Sequence, residues 1–119
     1  MRLHHVQVSC PAGGEAVARR FYGDLLGLAE VDKPVALAPR GGCWFRGPGI
    51  EVHVGVEEAF RPARKAHPGF EVAREDVDAL AVRLEEAGHP VLWDGDLPGY
   101  RRFHTADGHG NRVEILAPA

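Results

Sequence analysis

The stretch Arg46–Val54, RGPGIEVHV, reappears 61 residues later as Asp107–Ile115, DGHGNRVEI. In both copies a Gly-x-Gly turn leads into a segment in which apolar and polar residues alternate, and His53 falls on Glu114. Alternation with a period of two residues after a glycine turn is typical of a β-strand that leaves a hairpin. Because the pattern occurs twice at a fixed distance, it predicts two modules of the same architecture.

Each copy follows a segment with helical periodicity. Residues 15–28, EAVARRFYGDLLGL, place Val17, Phe21 and Leu25 four residues apart, and Gly27 stands where a helix commonly ends. Residues 76–91 place an apolar stripe on one helical face, formed by Val77, Leu80, Ala81 and Leu84. Asp76 is the expected N-cap of this second helix, and Gly88 ends it, 61 residues after Gly27.

An extended segment precedes each helix, LHHVQVSC at 3–10 and HPGFEVA at 67–73, and shorter extended segments follow. We therefore predict an α+β fold in a single domain, 1–119. It is expected to consist of two tandem βαβββ modules, 1–57 and 66–119, joined by a linker at 58–65, with the helices outside the sheets.

Composition excludes several classes of protein. The net charge is −3 and there is no long basic run, so a nucleic-acid partner is not expected. No apolar run approaches the roughly 18 residues of a membrane span, and the N-terminus lacks a signal-peptide pattern. Cys10 and Cys43 have no C-x-x-C spacing. They are expected to be buried core thiols of a cytoplasmic protein rather than a disulfide or a metal pair.

Strand phase selects the candidate site residues. Neighbouring residues on a strand point to opposite faces, so only one of His4 and His5 can face a given site. The valine-rich faces must cover the helices, which leaves the other faces free. Those faces hold His5, His53, His67 and Glu114, whereas His4 is in phase with Val6 and is expected at the edge of the helix-packed side.

Three imidazoles and one carboxylate suit a divalent cation such as Zn, Ni, Fe or Mn. Positions left open on the ion would take water or two neighbouring substrate oxygens, and the ion would act as a Lewis acid. If His53 is unbound, the remaining His-His-carboxylate set is similar to the open iron triad of oxygenases. Glu51 shares the face of His53 and is a substitute-ligand candidate, and His104 is expected to line the cavity.

The chain resembles the vicinal oxygen chelate superfamily, which includes glyoxalase I, fosfomycin-resistance enzymes, extradiol dioxygenases and bleomycin-resistance proteins. The resemblance covers nearly the whole chain, and its most specific pieces are FYGDLLGL at 21–28 and GNRVEIL at 110–116. It implies an open β-cup that holds one divalent metal ion and binds a small-molecule substrate. It also implies a homodimer. Family ligands come from the first and last strands of each module, and those positions here are His5, His53, His67 and Glu114.

The resemblance to any one activity is looser. Glyoxalase I enzymes typically have a carboxylate where this chain has His53, so the base would be Glu114 alone or Glu51. The fosfomycin-resistance triad is present as His5, His67 and Glu114, and an extradiol dioxygenase would need His104 and Tyr100 in its cavity.

The favoured function is therefore a glyoxalase-like lyase or isomerase that stabilises an oxyanion or enediolate, with Glu114 as the catalytic residue. Arg101, Arg102, His104 and Glu51 are expected to contact the substrate. The alternatives are a metal-dependent dioxygenase, a thiol transferase, or a non-catalytic protein that binds a drug.

Overall fold

The computed structural model describes all residues from 1 to 119 and contains two compact units, Met1–Pro62 and Ala63–Ala119. The division between the units falls inside the predicted linker at 58–65. Each unit has its own four-stranded sheet and its own helix. The predicted α+β class and the two βαβββ modules are therefore confirmed.

Unit one is built on a mixed sheet with the strand order β1-β4-β3-β2. β1 runs parallel to β4, and the other neighbours are antiparallel. In chain order the elements are β1 (Val6–Cys10), α1 (Glu15–Ala18), a π-helical continuation (Arg19–Leu25), β2 (Ala29–Val31), a 3₁₀ helix (Val35–Arg40), β3 (Cys43–Gly47) and β4 (Ile50–Val56).

Unit two repeats this plan with the order β5-β8-β7-β6, again with only the first pair parallel. Its elements are β5 (Gly69–Glu71), α2 (Val77–Glu86), β6 (Leu92–Asp94), β7 (Tyr100–Ala106) and β8 (Arg112–Pro118). No helix in either unit has the length and apolar character that crossing a membrane requires.

Strand pairing confirms the repeat residue by residue. Gln7 lies opposite His53 in the β1–β4 pair, and Gly69 lies opposite Glu114 in the β5–β8 pair. His53 and Glu114 therefore occupy the same place in their sheets. The turn that precedes β8 is one residue longer than the turn that precedes β4, since Arg46 pairs with Glu51 but Ala106 pairs with Arg112.

The core of unit two follows the predicted helical stripe. Val77, Leu80, Ala81 and Leu84 are all buried, and burial of a leucine side chain such as that of Leu84 contributes roughly 1.5–3 kcal/mol. Gly88 follows the helix with a φ of 90°, as its helix-ending role requires. Asp76 stands at the N-cap, as predicted, although its side chain makes no capping hydrogen bond.

The core of unit one corrects the other predicted stripe. Phe21 and Leu25 are buried as expected, whereas Val17 is 44% exposed. The rings of Phe21 and Tyr22 meet edge to face, with centroids 4.9 Å apart, and both are fully buried. Because two large neighbouring rings fill the core, the buried face is centred on Ala18 and Tyr22, and Val17 turns outward.

Cys10 and Cys43 are buried in the core of unit one and form no disulfide, as the sequence predicts. Burial raises the pKa of the Cys43 thiol from 9.0 to about 11, because the thiolate would lose its hydration. Both cysteines are thus packing residues in the reduced form.

Candidate metal centre

Glu114, in the middle of β8, is the centre of a polar group in unit two. Its carboxylate oxygen Oε2 lies 3.0 Å from His67 Nε2 and 3.6 Å from His104 Nε2. His67 comes just before β5, the parallel neighbour of β8, and His104 lies directly opposite Glu114 on β7. The sheet therefore brings three potential ligands together from three segments that are separate in the sequence.

The donor atoms of His67, His104 and Glu114 all lie within 4.8 Å of one another. Two imidazole nitrogens and one carboxylate oxygen are ligands that Zn and other first-row divalent cations accept. His104 and Glu114 are buried, with 8% and 7% of their surfaces exposed, whereas His67 is partly open to solvent. The group thus has the composition, spacing and access that a divalent cation requires.

The second nitrogen of His67 strengthens this fit. Its Nδ1 lies 2.7 Å from the backbone oxygen of Lys65, and because a carbonyl oxygen only accepts hydrogen bonds, Nδ1 carries a proton. Nε2 then faces Oε2 of Glu114 at 3.0 Å: it donates a hydrogen bond to that oxygen when it carries a proton, and it offers a lone pair to a cation when it does not. A carbonyl that orients a ligand histidine is a common feature of metal sites.

His104 is held in the form that binds metal. Burial lowers the pKa of His104, and the positive charge of Arg112 lowers it further. The ring therefore stays neutral at physiological pH and keeps a lone pair for a cation.

Glu114 is held as a carboxylate. Burial alone would raise the pKa of Glu114, but hydrogen bonds from His67 and Arg102 outweigh this effect, and the pKa falls below its usual value. Nη1 of Arg102 donates to Oε1 of Glu114 at 3.1 Å, and the same guanidinium donates to Asp94 on β6. Glu114 is therefore charged and ordered, as a ligand for a cation should be.

Arg101 faces the opposite side of β7. It donates to Asp78 of α2 at 2.6 Å, and its guanidinium carbon lies 3.9 Å from the centroid of the Trp93 ring. Strand alternation therefore directs the two predicted substrate-binding arginines to opposite faces of β7, although both border one pocket beside Trp93 and Asp94. Arg102 belongs to the group around Glu114, and the structure does not bring Arg101 to it.

In unit one, His53 lies between two aromatic rings. The Trp44 ring is parallel to it at a centroid distance of 3.7 Å, and the His5 ring stacks on it at 4.1 Å. His5 and His53 thus share a face, as strand phase predicts. His4 is exposed, its Nδ1 lies 2.9 Å from His5 Nδ1, and it does not pack under the helix.

Glu51 lies beside His53, as their shared face predicts. Its Oε1 is 3.5 Å from His53 Nε2, too far for a good hydrogen bond, and accepts a 2.9 Å bond from Arg46. The buried Nε2 of His53 has no hydrogen-bond partner. Burial lowers the pKa of His53, and the nearby His5 lowers it further, so this ring is also neutral.

Known structures place the chain in a family. A protein from Bacillus anthracis assigned to the glyoxalase family is 41% identical, with a TM-score of 0.93, and the match covers 100% of this chain and 96% of that one. The chain belongs to the glyoxalase family. This membership confirms the resemblance to the vicinal oxygen chelate superfamily that the sequence motifs indicate.

More distant members of the glyoxalase fold are also similar. A protein from Bacillus halodurans described as a glyoxalase is 26% identical, with a TM-score of 0.71 and coverage of 98% and 95%. A variant of the fosfomycin-resistance protein FosX from Listeria monocytogenes, in complex with Mn(II) and 1S,2S-dihydroxypropylphosphonic acid, is 16% identical. Its TM-score is 0.79 with coverage of 98% and 92%, which shows a shared fold. No protein-family model and no curated protein sequence matches the chain.

Within each unit, the structure brings two of the predicted ligands together. His67 contacts Glu114, and His5 contacts His53. That one cation binds all four residues stays a prediction. The sequence assigned His104 to the lining of a cavity, yet it stands among the ligand candidates. Counting outward from the DGHGN turn pairs His104 with Glu114, and that signal could have identified it.

Proposed function

We propose that this glyoxalase-family chain is an enzyme that depends on one divalent metal ion, held in unit two by His67, His104 and Glu114. Its substrate is a small molecule with two neighbouring oxygen atoms, and the favoured chemistry is that of a lyase or isomerase. The observation that carries the proposal is the spacing of the three donor atoms, all within 4.8 Å of one another.

A bound divalent cation supplies Lewis-acid chemistry, because it polarises substrate oxygens and stabilises negative charge that develops on them. The protein supplies geometry and protonation states. The Lys65 carbonyl fixes the orientation of His67, and burial keeps His104 neutral. Arg102 holds one oxygen of Glu114 and leaves the other towards the histidines.

Glu114 is better suited to bind the cation than to accept a proton. Its lowered pKa makes it a weaker base, and both of its oxygens are already engaged. The pKa of Glu51 is also lowered, first by its hydrogen bond from Arg46. An isomerase reaction would therefore need a proton acceptor with a higher pKa than Glu114 or Glu51 has in this structure.

A dioxygenase is the second candidate. Two histidines and one carboxylate form the ligand set that non-haem iron oxygenases use, with the remaining positions open for substrate and oxygen. His67, His104 and Glu114 have this composition. Oxygen consumption by the iron-loaded protein with a catechol would favour the dioxygenase over the lyase or isomerase.

The test is metal loading of the purified protein with Zn, Ni, Fe and Mn in turn, followed by metal analysis and assays on α-hydroxycarbonyl compounds. We expect about one ion per chain and turnover with at least one metal. Glu114→Gln should lower both, whereas the matched control Glu85→Gln, an exposed position on α2, should lower neither.

A protein that takes up no metal from any of the four solutions would contradict the proposal. Such a result would favour the non-catalytic class of small-molecule binding proteins. The homodimer and the cytoplasmic location stay predictions, which sedimentation analysis and cell fractionation would check.

A further inference from the structure

The two oxygens of Glu114 have different partners. Oε2 faces His67 at 3.0 Å and His104 at 3.6 Å, whereas Oε1 accepts a 3.1 Å hydrogen bond from Nη1 of Arg102. Only Oε2 therefore points into the group of potential metal ligands.

Arg102 is itself anchored on the far side. Its Nε and Nη2 both donate to Oδ1 of Asp94, at 3.2 and 3.0 Å, and the backbone N–H of Asp96 donates to the same oxygen at 2.7 Å. Asp94 lies on β6, Arg102 on β7 and Glu114 on β8. One guanidinium thus links the carboxylates of the two strands on either side of its own, and its side chain is only 18% exposed.

We propose that Arg102 is a positioning residue that restricts Glu114 to a single ligand oxygen. The inference rests on the proposed metal site in unit two. A carboxylate can bind a cation through one oxygen or through both. Because Oε1 is engaged by the guanidinium, Glu114 gives the cation Oε2 alone, and the coordination position that Oε1 would fill is left for a substrate oxygen.

The geometry requires arginine and not merely a positive charge. A guanidinium is a planar fork whose separate N–H groups can serve two carboxylates at once, whereas an ammonium is a compact charge at the end of a flexible stem. A lysine at this position could approach Asp94 or Glu114, but it could not hold both in a fixed orientation. Arg102→Lys therefore removes the positioning and retains the charge.

The same unit contains a natural comparison. Asp78 also accepts from an arginine of β7, but that arginine is Arg101, on the opposite face of the strand. Asp94→Asn and Asp78→Asn remove the same charge from an arginine-paired aspartate. Only the first change affects the residue that holds Glu114.

The experiment measures the dissociation constant of Zn²⁺ by competition with a chromogenic chelator, for the wild type and these variants. Arg102→Lys should weaken binding by about 10–100-fold, the scale found for partners of metal ligands. Asp94→Asn should weaken it in the same direction, and Asp78→Asn should not change it. In the Glu114→Gln background, Arg102→Lys should have no further effect, because the group that it positions has been altered.

The visible spectrum of the Co²⁺-loaded protein gives a readout that a loss of stability would not change. Absorption by Co²⁺ weakens as its coordination number rises, so Arg102→Lys should lower the intensity if Oε1 joins the ion. Melting temperatures in excess chelator show which variants are folded. If Arg102→Lys does not fold, Asp94→Asn provides the same test, because it removes the anchor of Arg102.

Unchanged Zn²⁺ affinity and Co²⁺ spectrum in folded Arg102→Lys or Asp94→Asn would overturn the inference. An equal loss in Asp78→Asn, or an effect of Arg102→Lys that persists with Glu114→Gln, would also overturn it. Failure of the wild type to bind Zn²⁺ or Co²⁺ would instead overturn the proposed function.

Discussion

His104 and Glu114 lie directly opposite each other in the β7–β8 pair, and His104 Nε2 is 3.6 Å from Glu114 Oε2. Residues that face each other across antiparallel strands keep their separation as long as the sheet is intact. Backbone pairing therefore keeps the two side chains next to each other on one face of the sheet, where both donors can reach one cation.

His104→Ala should lower the metal content of the purified protein strongly, because it removes one of the three donors of unit two. His4→Ala is the matched control, since His4 is exposed and lies outside the group. Plasma emission spectrometry after reloading gives the metal content. If both variants retain wild-type metal content, His104 lines the site without binding the ion.

Glu114→Gln should fold normally but respond weakly to metal. Val113 and Ile115 point to the core and are untouched, while the amide loses the charge that offsets the cation. Metal binds only the folded form, so excess Zn²⁺ should raise the melting temperature of the wild type far more than that of the variant. In excess chelator the two should melt at similar temperatures, and equal responses to metal would show that Glu114 is not a ligand.

Asp107→Ala should destabilise the fold, because this buried carboxylate organises the turn before β8. Its Oδ1 accepts from the backbone N–H groups of His109 and Asn111 at 2.9 and 3.0 Å, and its Oδ2 accepts from the Asn111 side chain at 2.9 Å. We expect a loss of roughly 1–3 kcal/mol in the free energy of unfolding, measured in urea. Asp76→Ala is the control, since the Asp76 side chain makes no capping bond, and an equal loss there would contradict the role of the turn.

Cys43 should make the fold sensitive to alkali. Its raised pKa means that the folded protein favours the neutral thiol, so its contribution to stability is full below pH 9.0 and declines as the pH rises to about 11. Cys43→Val, which keeps an apolar side chain, should remove this part of the decline in urea unfolding curves. At neutral pH a thiol reagent should label wild-type Cys43 only on unfolding, and rapid labelling of the folded protein would refute its burial.

Much of the architecture could be predicted because it depends on periodicity. Alternation in β4 and β8 fixes which residues face the helices, and the repeat fixes how His53 corresponds to Glu114. Gly27 and Gly88, with φ values of 81° and 90°, end the helices where the pattern indicates. These features follow from local chemistry that each segment carries by itself.

The parts that were missed depend on contacts between segments. The turn before β8 has one residue more than the turn before β4, so the repeat distance differs between the strands of the two hairpins. The strand partner of Glu114 can therefore be found only by counting the residues of that turn. Val17 is excluded from the core by the rings of Phe21 and Tyr22, and helical spacing does not report which large side chains will fill a core. Competition for space is decided by the assembled structure.

The duplicated hairpin makes unit one a template for transplanting the site. Trp44 and His53 face each other as His104 and Glu114 do, and His5 corresponds to His67. Trp44→His with His53→Glu would reproduce the donor set on a second scaffold within the same chain. The position that corresponds to Arg102 is Gly42, where φ is 81° and a Cβ would collide with the carbonyl oxygen of Val54. The transplanted copy would therefore lack an arginine at this position. The two units of one protein would then offer the same donor atoms to a cation, one with the arginine and one without it.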